Sequence, residues 1–94
     1  MESLKEILAS SKANLVDVRT PEEFASGSVA GSINIPMSEV ESNLDKLKSL
    51  QPLVVFCRSG ARSGNVLGYL QHNGLEHVWN GGGWKDLNHL ISEL

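Results

Sequence analysis

Short apolar runs alternate along this chain with stretches of helical periodicity, and this alternation constrains the fold more than any other feature. The most hydrophobic run, residues 53–56, reads Leu-Val-Val-Phe, and shorter apolar runs occur at 15–18, 33–35 and 77–79. A continuous apolar run is typical of a strand that is buried on both faces, as in a parallel sheet. We therefore predict an α/β domain whose mostly parallel sheet is flanked by helices on both faces.

The segments between these runs carry start and stop signals of helices. Ser3 with Glu6, and Thr20 with Glu23, have the spacing of capping boxes, in which two side chains bond the free N–H groups at a helix start. Ser38 is predicted to begin a third helix. Regular secondary structure is predicted to stop at Pro52, at residues 73–74 and at the glycines 81–83. A last helix is predicted over residues 84–94, with Leu94 on its apolar face.

Length and composition exclude several classes of protein. The chain has 94 residues, which predicts one domain over residues 1–94. Its single cysteine, Cys57, excludes an internal disulfide and a zinc site built from several thiolates. A net charge of −3 argues against nucleic-acid binding as the main activity. Glycines 81–83 lack the spacing of nucleotide-binding loops, so we predict no cofactor. The three histidines do not form a compact ligand set with Cys57, so we predict no metal.

The N-terminal residues and the hydropathy pattern bear on location. Residues 1–12 have neither the basic region nor the apolar region of a signal peptide. No run approaches the roughly 20 apolar residues of a membrane span. A lone unpaired cysteine is typical of a reducing compartment, so we predict a cytoplasmic protein without membrane association.

The segment with the most candidate functional residues is the cysteine loop, residues 57–63. It follows the most apolar predicted strand and reads Cys-Arg-Ser-Gly-Ala-Arg-Ser. Sites in open α/β sheets form at the carboxyl ends of strands. Turn N–H groups and the start of the next helix attract anions there, while Arg58 and Arg62 add charge and Gly60 permits a tight turn. We expect these surroundings to lower the pKa of Cys57 from about 8.5 to between about 3.5 and 7.5, which makes the thiol nucleophilic without a histidine base.

Simpler interpretations exist for these residues and for others. A lone cysteine after a strand is most often a small buried apolar residue, although two arginines and a glycine are poor surroundings for an inert thiol. Asp17 and Arg19 fit a buried structural ion pair, with Glu23 as a further candidate member, better than a catalytic role. The remaining candidates are interpreted as surface residues or strand ends (His72, His77, His89) and as packing residues (Trp79, Trp84).

Four segments in chain order resemble the rhodanese family of sulfurtransferases. The cysteine loop is similar to the family's active-site loop, residues 17–24 and 27–36 resemble its two N-terminal signatures, and residues 81–84 resemble its C-terminal glycine turn. The resemblance implies a single rhodanese-like domain with a five-stranded parallel sheet. Ser28 stands where the family usually has histidine, which we expect to affect the chemistry little, and Trp84 lies closer to the glycines than is usual.

The resemblance also implies an activity. The thiolate of Cys57 would attack the sulfane sulfur of thiosulfate, release sulfite and hold the sulfur as a persulfide. Because the chain has no second cysteine, an external acceptor would remove this sulfur atom. The acceptor would be cyanide in the assay and a thiol in the cell, with a thioredoxin-like or sulfur-relay protein as a candidate partner. A basic residue after the cysteine goes with thiosulfate rather than mercaptopyruvate as donor. The substrate-binding residues implied are Arg58, Ser59, Gly60, Ala61, Arg62 and Ser63.

Two other functions stay open. A phosphatase-like or arsenate-reductase-like enzyme has a similar loop, but it places one residue more between cysteine and arginine than the four residues 58–61 here. Such an enzyme also needs a general acid, and no acidic residue lies close to the loop in sequence. A sulfur-relay module would instead carry a persulfide on Cys57 with little turnover of free thiosulfate.

Overall fold

Helices and strands alternate along the chain in a computed structural model that describes residues 2–94. Within this range there are five α-helices, four strands and two short 3-10 turns, Met37–Glu39 and Glu41–Asn43. The helices are α1 (Leu4–Ala9), α2 (Pro21–Ala25), α3 (Leu44–Ser49), α4 (Ala61–His72) and α5 (Trp84–Ser92), and the strands are β1 (Asn14–Asp17), β2 (Ile33–Asn34), β3 (Leu53–Cys57) and β4 (Val78–Gly83).

The sheet is fully parallel and has the strand order β2-β1-β3-β4. The α/β class and the parallel sheet are therefore confirmed. The family resemblance implied five strands, and this prediction is wrong for residues 2–94. These residues form four strands, one at each apolar run of the sequence. β2 has only two residues because Pro36, which has no N–H to donate to a ladder, follows closely.

The central strand β3 is buried on both faces, as residues 53–56 predicted. Leu53, Val55 and Cys57 contribute to one apolar cluster, which also holds residues of α3 and α4. Val54 and Phe56 contribute to a second cluster, with residues of α1 and α5. Each of these five side chains is at most 1% exposed. The alternation follows from the pleat of a strand and places the Cys57 side chain on the α4 side of the sheet.

The predicted helix start at Ser38 is wrong. Residues 37–43 form the two 3-10 turns, and the α-helix begins only at Leu44. No side chain caps either turn, so the helical start that a serine cap would support is missing. The turns still bury Val40 to 3% exposure while Ser38 stays at the surface.

The prediction that regular structure stops at the glycines 81–83 is wrong, because β4 continues through them to Gly83. Their missing side chains let β4 approach its neighbours closely. A Cβ at Gly83 would lie 2.7 Å from the carbonyl oxygen of Arg58, nearer than real contacts allow. The last helix then ends at Ser92, and Leu94, predicted on its apolar face, is 49% exposed.

Candidate active site

Cys57 is the last residue of β3 and lies at the carboxyl end of the sheet. Only three residues separate it from Ala61, where α4 begins, so the chain turns sharply between strand and helix. Gly60 makes this turn with a φ of +99°, in the left-handed region where only glycine is unstrained. A Cβ there would also lie 3.3 Å from the Cα of Gly82, so the turn has little room for a side chain.

The turn surrounds the sulfur of Cys57 with hydrogen-bond donors. The N–H groups of Gly60 and Ser63 donate to Sγ, with N···S distances of 3.0 and 3.4 Å. The Ser63 hydroxyl lies 3.4 Å from the same sulfur. Because Cys57 is 1% exposed and Ser63 is fully buried, these donors act with little competition from water.

The hydrogen bonds determine the ionisation of the thiol. Burial by itself raises the pKa of Cys57, but the Ser63 hydroxyl and the N–H groups of Ser63, Ser59 and Gly60 outweigh it and lower the pKa to about 7. The lowered pKa favours the thiolate near neutral pH. The lowered pKa lies within the range expected from the sequence, although hydrogen bonds, rather than the charges of the two arginines, are its main cause.

Asn80 is a site residue that the sequence analysis missed. Its Oδ1 accepts hydrogen bonds from the Ser63 hydroxyl, at 2.7 Å, and from the Gly82 N–H, at 2.8 Å. Its Nδ2 donates to the carbonyl of Gly60 at 3.2 Å. Asn80 thus ties β4 to the cysteine loop and competes with Cys57 for the single hydroxyl proton of Ser63. The available signal was a polar residue directly after the predicted strand 77–79.

Arg62 is bound to an acidic residue of α2. Its guanidinium forms two hydrogen bonds with the carboxylate of Glu23, at 2.7 and 3.0 Å. This contact, followed by the Thr20 backbone N–H, lowers the pKa of Glu23 to about 2, and the carboxylate in turn raises the pKa of Arg62. Glu23, suggested as a partner of the Asp17–Arg19 pair, instead holds the cysteine loop against α2. Arg58, the other arginine of the loop, is exposed.

Comparison with known protein families adds to this geometry. A family model described as the rhodanese-like domain matches residues 1–89. The chain belongs to the rhodanese-like domain family. The family indicated by the four sequence segments is thereby confirmed.

Known relatives of this rhodanese-like domain include sulfurtransferases. The thiosulfate sulfurtransferase PspE of Escherichia coli is 38% identical over 77 residues, which cover 77% of this chain and 71% of PspE. The putative sulfur carrier protein YrkF of Bacillus subtilis is 30% identical over 81 residues, which cover 85% of this chain and 44% of YrkF. The solved structure of the human single-domain sulfurtransferase TSTD1 matches with a TM-score of 0.73 at 33% identity and covers 88% of this chain and 87% of TSTD1. The chain spans 60% of the length of a further relative from Bacillus subtilis.

The rhodanese-like domain also contains the predicted buried ion pair. Arg19 contacts Asp17 at 2.7 Å, with both side chains at most 4% exposed, and it also donates to the carbonyl of Gly27 at 2.6 Å. Ser28, which replaces the usual histidine, donates to the Asp17 carboxylate at 2.8 Å. These contacts join β1 to the segment before β2, which fits the structural interpretation of the pair.

The three histidines and Trp79 lie where their simpler interpretations placed them. The three histidines are exposed and Trp79 is buried, as expected. Ser59 and Ala61 of the cysteine loop are exposed. Among residues 2–94 no group of three or more His, Cys, Asp or Glu side chains is arranged to hold a metal ion. None of the helices in the same range is both long and apolar enough to span a membrane.

Proposed function

We propose that this rhodanese-like domain is a thiosulfate sulfurtransferase that passes sulfur through a persulfide on Cys57. The observation that carries the proposal is the set of hydrogen-bond donors around Sγ, which stabilises a thiolate near neutral pH. A thiolate is the nucleophilic form of cysteine. Its place at the carboxyl end of β3 fits a site in an open α/β sheet.

The first step is attack by the Cys57 thiolate on the outer sulfur of thiosulfate. A new S–S bond forms between Sγ and that sulfur, and the bond within thiosulfate breaks. Its electron pair leaves with sulfite, so Cys57 becomes an anionic persulfide. In the second step an acceptor thiolate attacks the outer sulfur, and the electron pair of the Cys57 S–S bond returns to Sγ.

The cysteine loop would stabilise the negative charge in both steps. The N–H groups of Gly60 and Ser63 already donate to Sγ, and those of residues 58–63 together would hold the anionic persulfide, as an oxyanion hole does for oxygen. Arg58, which is exposed at the loop, would attract the dianionic donor. Arg62 would act mainly by holding the loop in place, since Glu23 engages its guanidinium.

A phosphatase function is weaker because neither Glu23 nor Asp17 is suited to act as its general acid. Glu23 is the carboxylate bound to the loop arginine, and its pKa of about 2 leaves it deprotonated at neutral pH. Asp17 is fully buried and bound to Arg19. Glu23 therefore cannot donate a proton to an alcohol leaving group at neutral pH, and the buried Asp17 side chain cannot reach such a group.

A sulfur-carrier function is the second candidate, favoured by the likeness to the putative sulfur carrier protein YrkF. A carrier would receive its sulfur from another protein and use the same persulfide. The two functions differ in the turnover of free thiosulfate. An enzyme forms thiocyanate continuously from thiosulfate and cyanide, whereas a carrier forms persulfide only when a donor protein loads it.

The proposal is tested by thiocyanate formation from thiosulfate and cyanide in the wild type and in Cys57→Ser. We expect steady turnover in the wild type and none in the variant, because a hydroxyl at this place is not ionised. Ser49→Ala, an exposed change in α3, serves as a control that should keep full activity. Circular dichroism checks the fold of each variant.

Three results would contradict the enzyme proposal. Thiocyanate formation by Cys57→Ser would refute the nucleophile. Hydrolysis of a phosphate ester without thiocyanate formation would favour the phosphatase. Persulfide loading by a donor protein, with negligible turnover of free thiosulfate, would favour the carrier.

A further inference from the structure

The side chain of Asn80 lies on the same side of the sheet as that of Cys57. In β4, Val78 belongs to the apolar cluster that contains Cys57, whereas Trp79 belongs to the cluster on the opposite face. Because side chains alternate along a strand, the next residue, Asn80, faces the Cys57 side again. A half-buried amide at this place has to find hydrogen-bond partners.

A bulge in β4 helps to direct the Asn80 amide. Asn80 is opposite Val55 and Gly82 is opposite Phe56, so β4 has one residue more, Gly81, between these two pairs. Bulges are frequent next to active sites, where they redirect a side chain. Here the Gly82 nitrogen lies 2.8 Å from Oδ1 of Asn80. The bulge is tightly packed, because a Cβ at Gly81 would lie 2.9 Å from side-chain atoms of β3 and of α5.

The contacts of the amide decide which of its two ends faces Ser63. The carbonyl of Gly60 can only accept, so the amide nitrogen of Asn80 must be the end that lies 3.2 Å from it. The amide oxygen then faces the Ser63 hydroxyl at 2.7 Å. Because an amide oxygen cannot donate, the Ser63 hydroxyl has to be the donor in this contact.

The direction of the Ser63 O–H bond follows the charge on the cysteine sulfur. While Ser63 donates to Asn80, a lone pair of its oxygen can face Sγ of Cys57, 3.4 Å away, and accept from the un-ionised thiol. A thiolate has no proton to donate, and a hydrogen bond to a charged acceptor is stronger than one to a neutral acceptor. The hydroxyl therefore turns its proton to the thiolate, and Asn80 keeps the N–H of Gly82.

We propose that Asn80 is a positioning residue, which accepts the Ser63 proton whenever Sγ of Cys57 carries little charge, in the thiol and again in the persulfide. The persulfide half rests on the proposed function. There Sγ forms its bond to the outer sulfur of thiosulfate with its own electron pair, and sulfite leaves with the pair of the broken S–S bond. The negative charge of the cysteine then lies on the outer sulfur, so the hydroxyl turns back to Asn80 and Ser63 keeps its proton throughout.

The test is a double-mutant cycle of the wild type, Asn80→Ala, Ser63→Ala and the double variant. The pKa of Cys57 in each protein is read from the ultraviolet absorbance of the thiolate as the pH is raised, with Cys57→Ser as the blank. This titration needs no thiosulfate, so it holds even if the proposed function fails. Loss of the Asn80 contact with Gly60 is common to both backgrounds, and the cycle cancels its effect.

The charged groups around Cys57 are the same in all four proteins of the cycle, so they cannot cause a difference between the two backgrounds. The charged residues of α3 are exposed. The charged residues of the other elements around the site are Asp17, Arg19, Glu23, Arg58, Arg62 and Asp86.

We expect Asn80→Ala to shift the pKa of Cys57 further downward with Ser63 present than with Ala at that position. The difference should be about 0.4–1 unit, the effect of one neutral hydrogen bond, because the hydroxyl loses its competing acceptor. Equal shifts in both backgrounds, or a difference of the opposite sign, would overturn the proposal. Asn88→Ala, an exposed change in α5, should leave the pKa unchanged. Circular dichroism checks the fold, and the isosteric Asn80→Leu replaces Asn80→Ala if that variant does not fold.

Sulfite release in a single turnover, at a pH where the cysteine is fully ionised, tests the persulfide half. Without Asn80 the hydroxyl has no acceptor to return to as charge leaves Sγ, so the rate should fall about fivefold, the effect of one neutral hydrogen bond. In the Ser63→Ala background the same substitution should cause no such loss. Equal losses in both backgrounds would overturn this half. A wild type that releases no sulfite would refute the proposed function, and the titration would still decide the role of Asn80 towards the thiol.

Discussion

The hydroxyl of Ser63 has a single proton and two acceptors, the sulfur of Cys57 and the Oδ1 of Asn80. When the sulfur is a thiolate, donation to it stabilises the negative charge, and the Gly82 N–H still satisfies Asn80. The reactivity of the cysteine therefore depends on a residue of β4 as well as on its own loop. This arrangement lets the site favour the thiolate without a histidine base.

The rate of persulfide formation should depend on pH. Because only the thiolate attacks thiosulfate, the rate should rise with pH and reach half its maximum near pH 7, the pKa of Cys57. Ser63→Ala removes the hydroxyl donor, so the midpoint should move to higher pH by about one unit, since a hydrogen bond to a charged group contributes about 1.5 kcal/mol. Stopped-flow measurement of sulfite release under single-turnover conditions follows this rate. Ser49→Ala should leave the midpoint unchanged, and an equal midpoint in Ser63→Ala would exclude the hydroxyl from this role.

The roles of individual residues of the site could be predicted only in part from the sequence. Cys57 and the need for a glycine at position 60 follow from a strand, a sharp turn and a helix in succession. Asn80 was missed because the predicted strand stopped at Trp79, whereas β4 continues through the following glycines. Its contacts with the loop lie 17 and 20 residues away in sequence, a separation that local patterns do not encode.

At the scale of elements, α2 and the cysteine loop are held together by the pair of Glu23 and Arg62. Glu23 also closes the capping box of α2, with its side chain accepting from the Thr20 N–H. One carboxylate therefore stabilises the start of a helix and the position of the loop. The sequence predicted the capping box, but the arginine partner lies 39 residues further along the chain and could not be assigned from it.

Glu23→Gln separates these two roles. Glutamine can still close the capping box but carries no charge. We therefore expect a moderately lower free energy of unfolding and a weaker contact between α2 and Arg62 of the cysteine loop. Because the folded-state pKa of Glu23 is lowered from 4.5 to about 2, its contribution is present above pH 4.5 and is lost as the pH falls towards 2. Urea unfolding of both proteins at several pH values should show a difference at neutral pH that narrows below pH 4.5. A difference that is independent of pH would contradict an ionic origin.

At the scale of the whole molecule, the parallel sheet brings the parts of the site together. The strand order places β3 between β1 and β4, so the segments that follow these strands meet at one edge. Four strands were evident from four apolar runs, whereas the fifth came only from the family resemblance and is absent from residues 2–94. The 3-10 turns before α3 were not predicted, because tertiary burial of Val40, rather than a local cap, determines the path of that segment.

If Cys57 receives a sulfur atom from thiosulfate, incubation with thiosulfate changes the mass of the protein, and mass spectrometry measures this change. We predict a gain of one sulfur atom, located on the peptide that contains Cys57 and lost again when cyanide is added. Cys57→Ser should gain nothing under the same conditions. An unchanged mass in the wild type, or a sulfur atom found on any other residue, would exclude Cys57 as the residue that forms the persulfide.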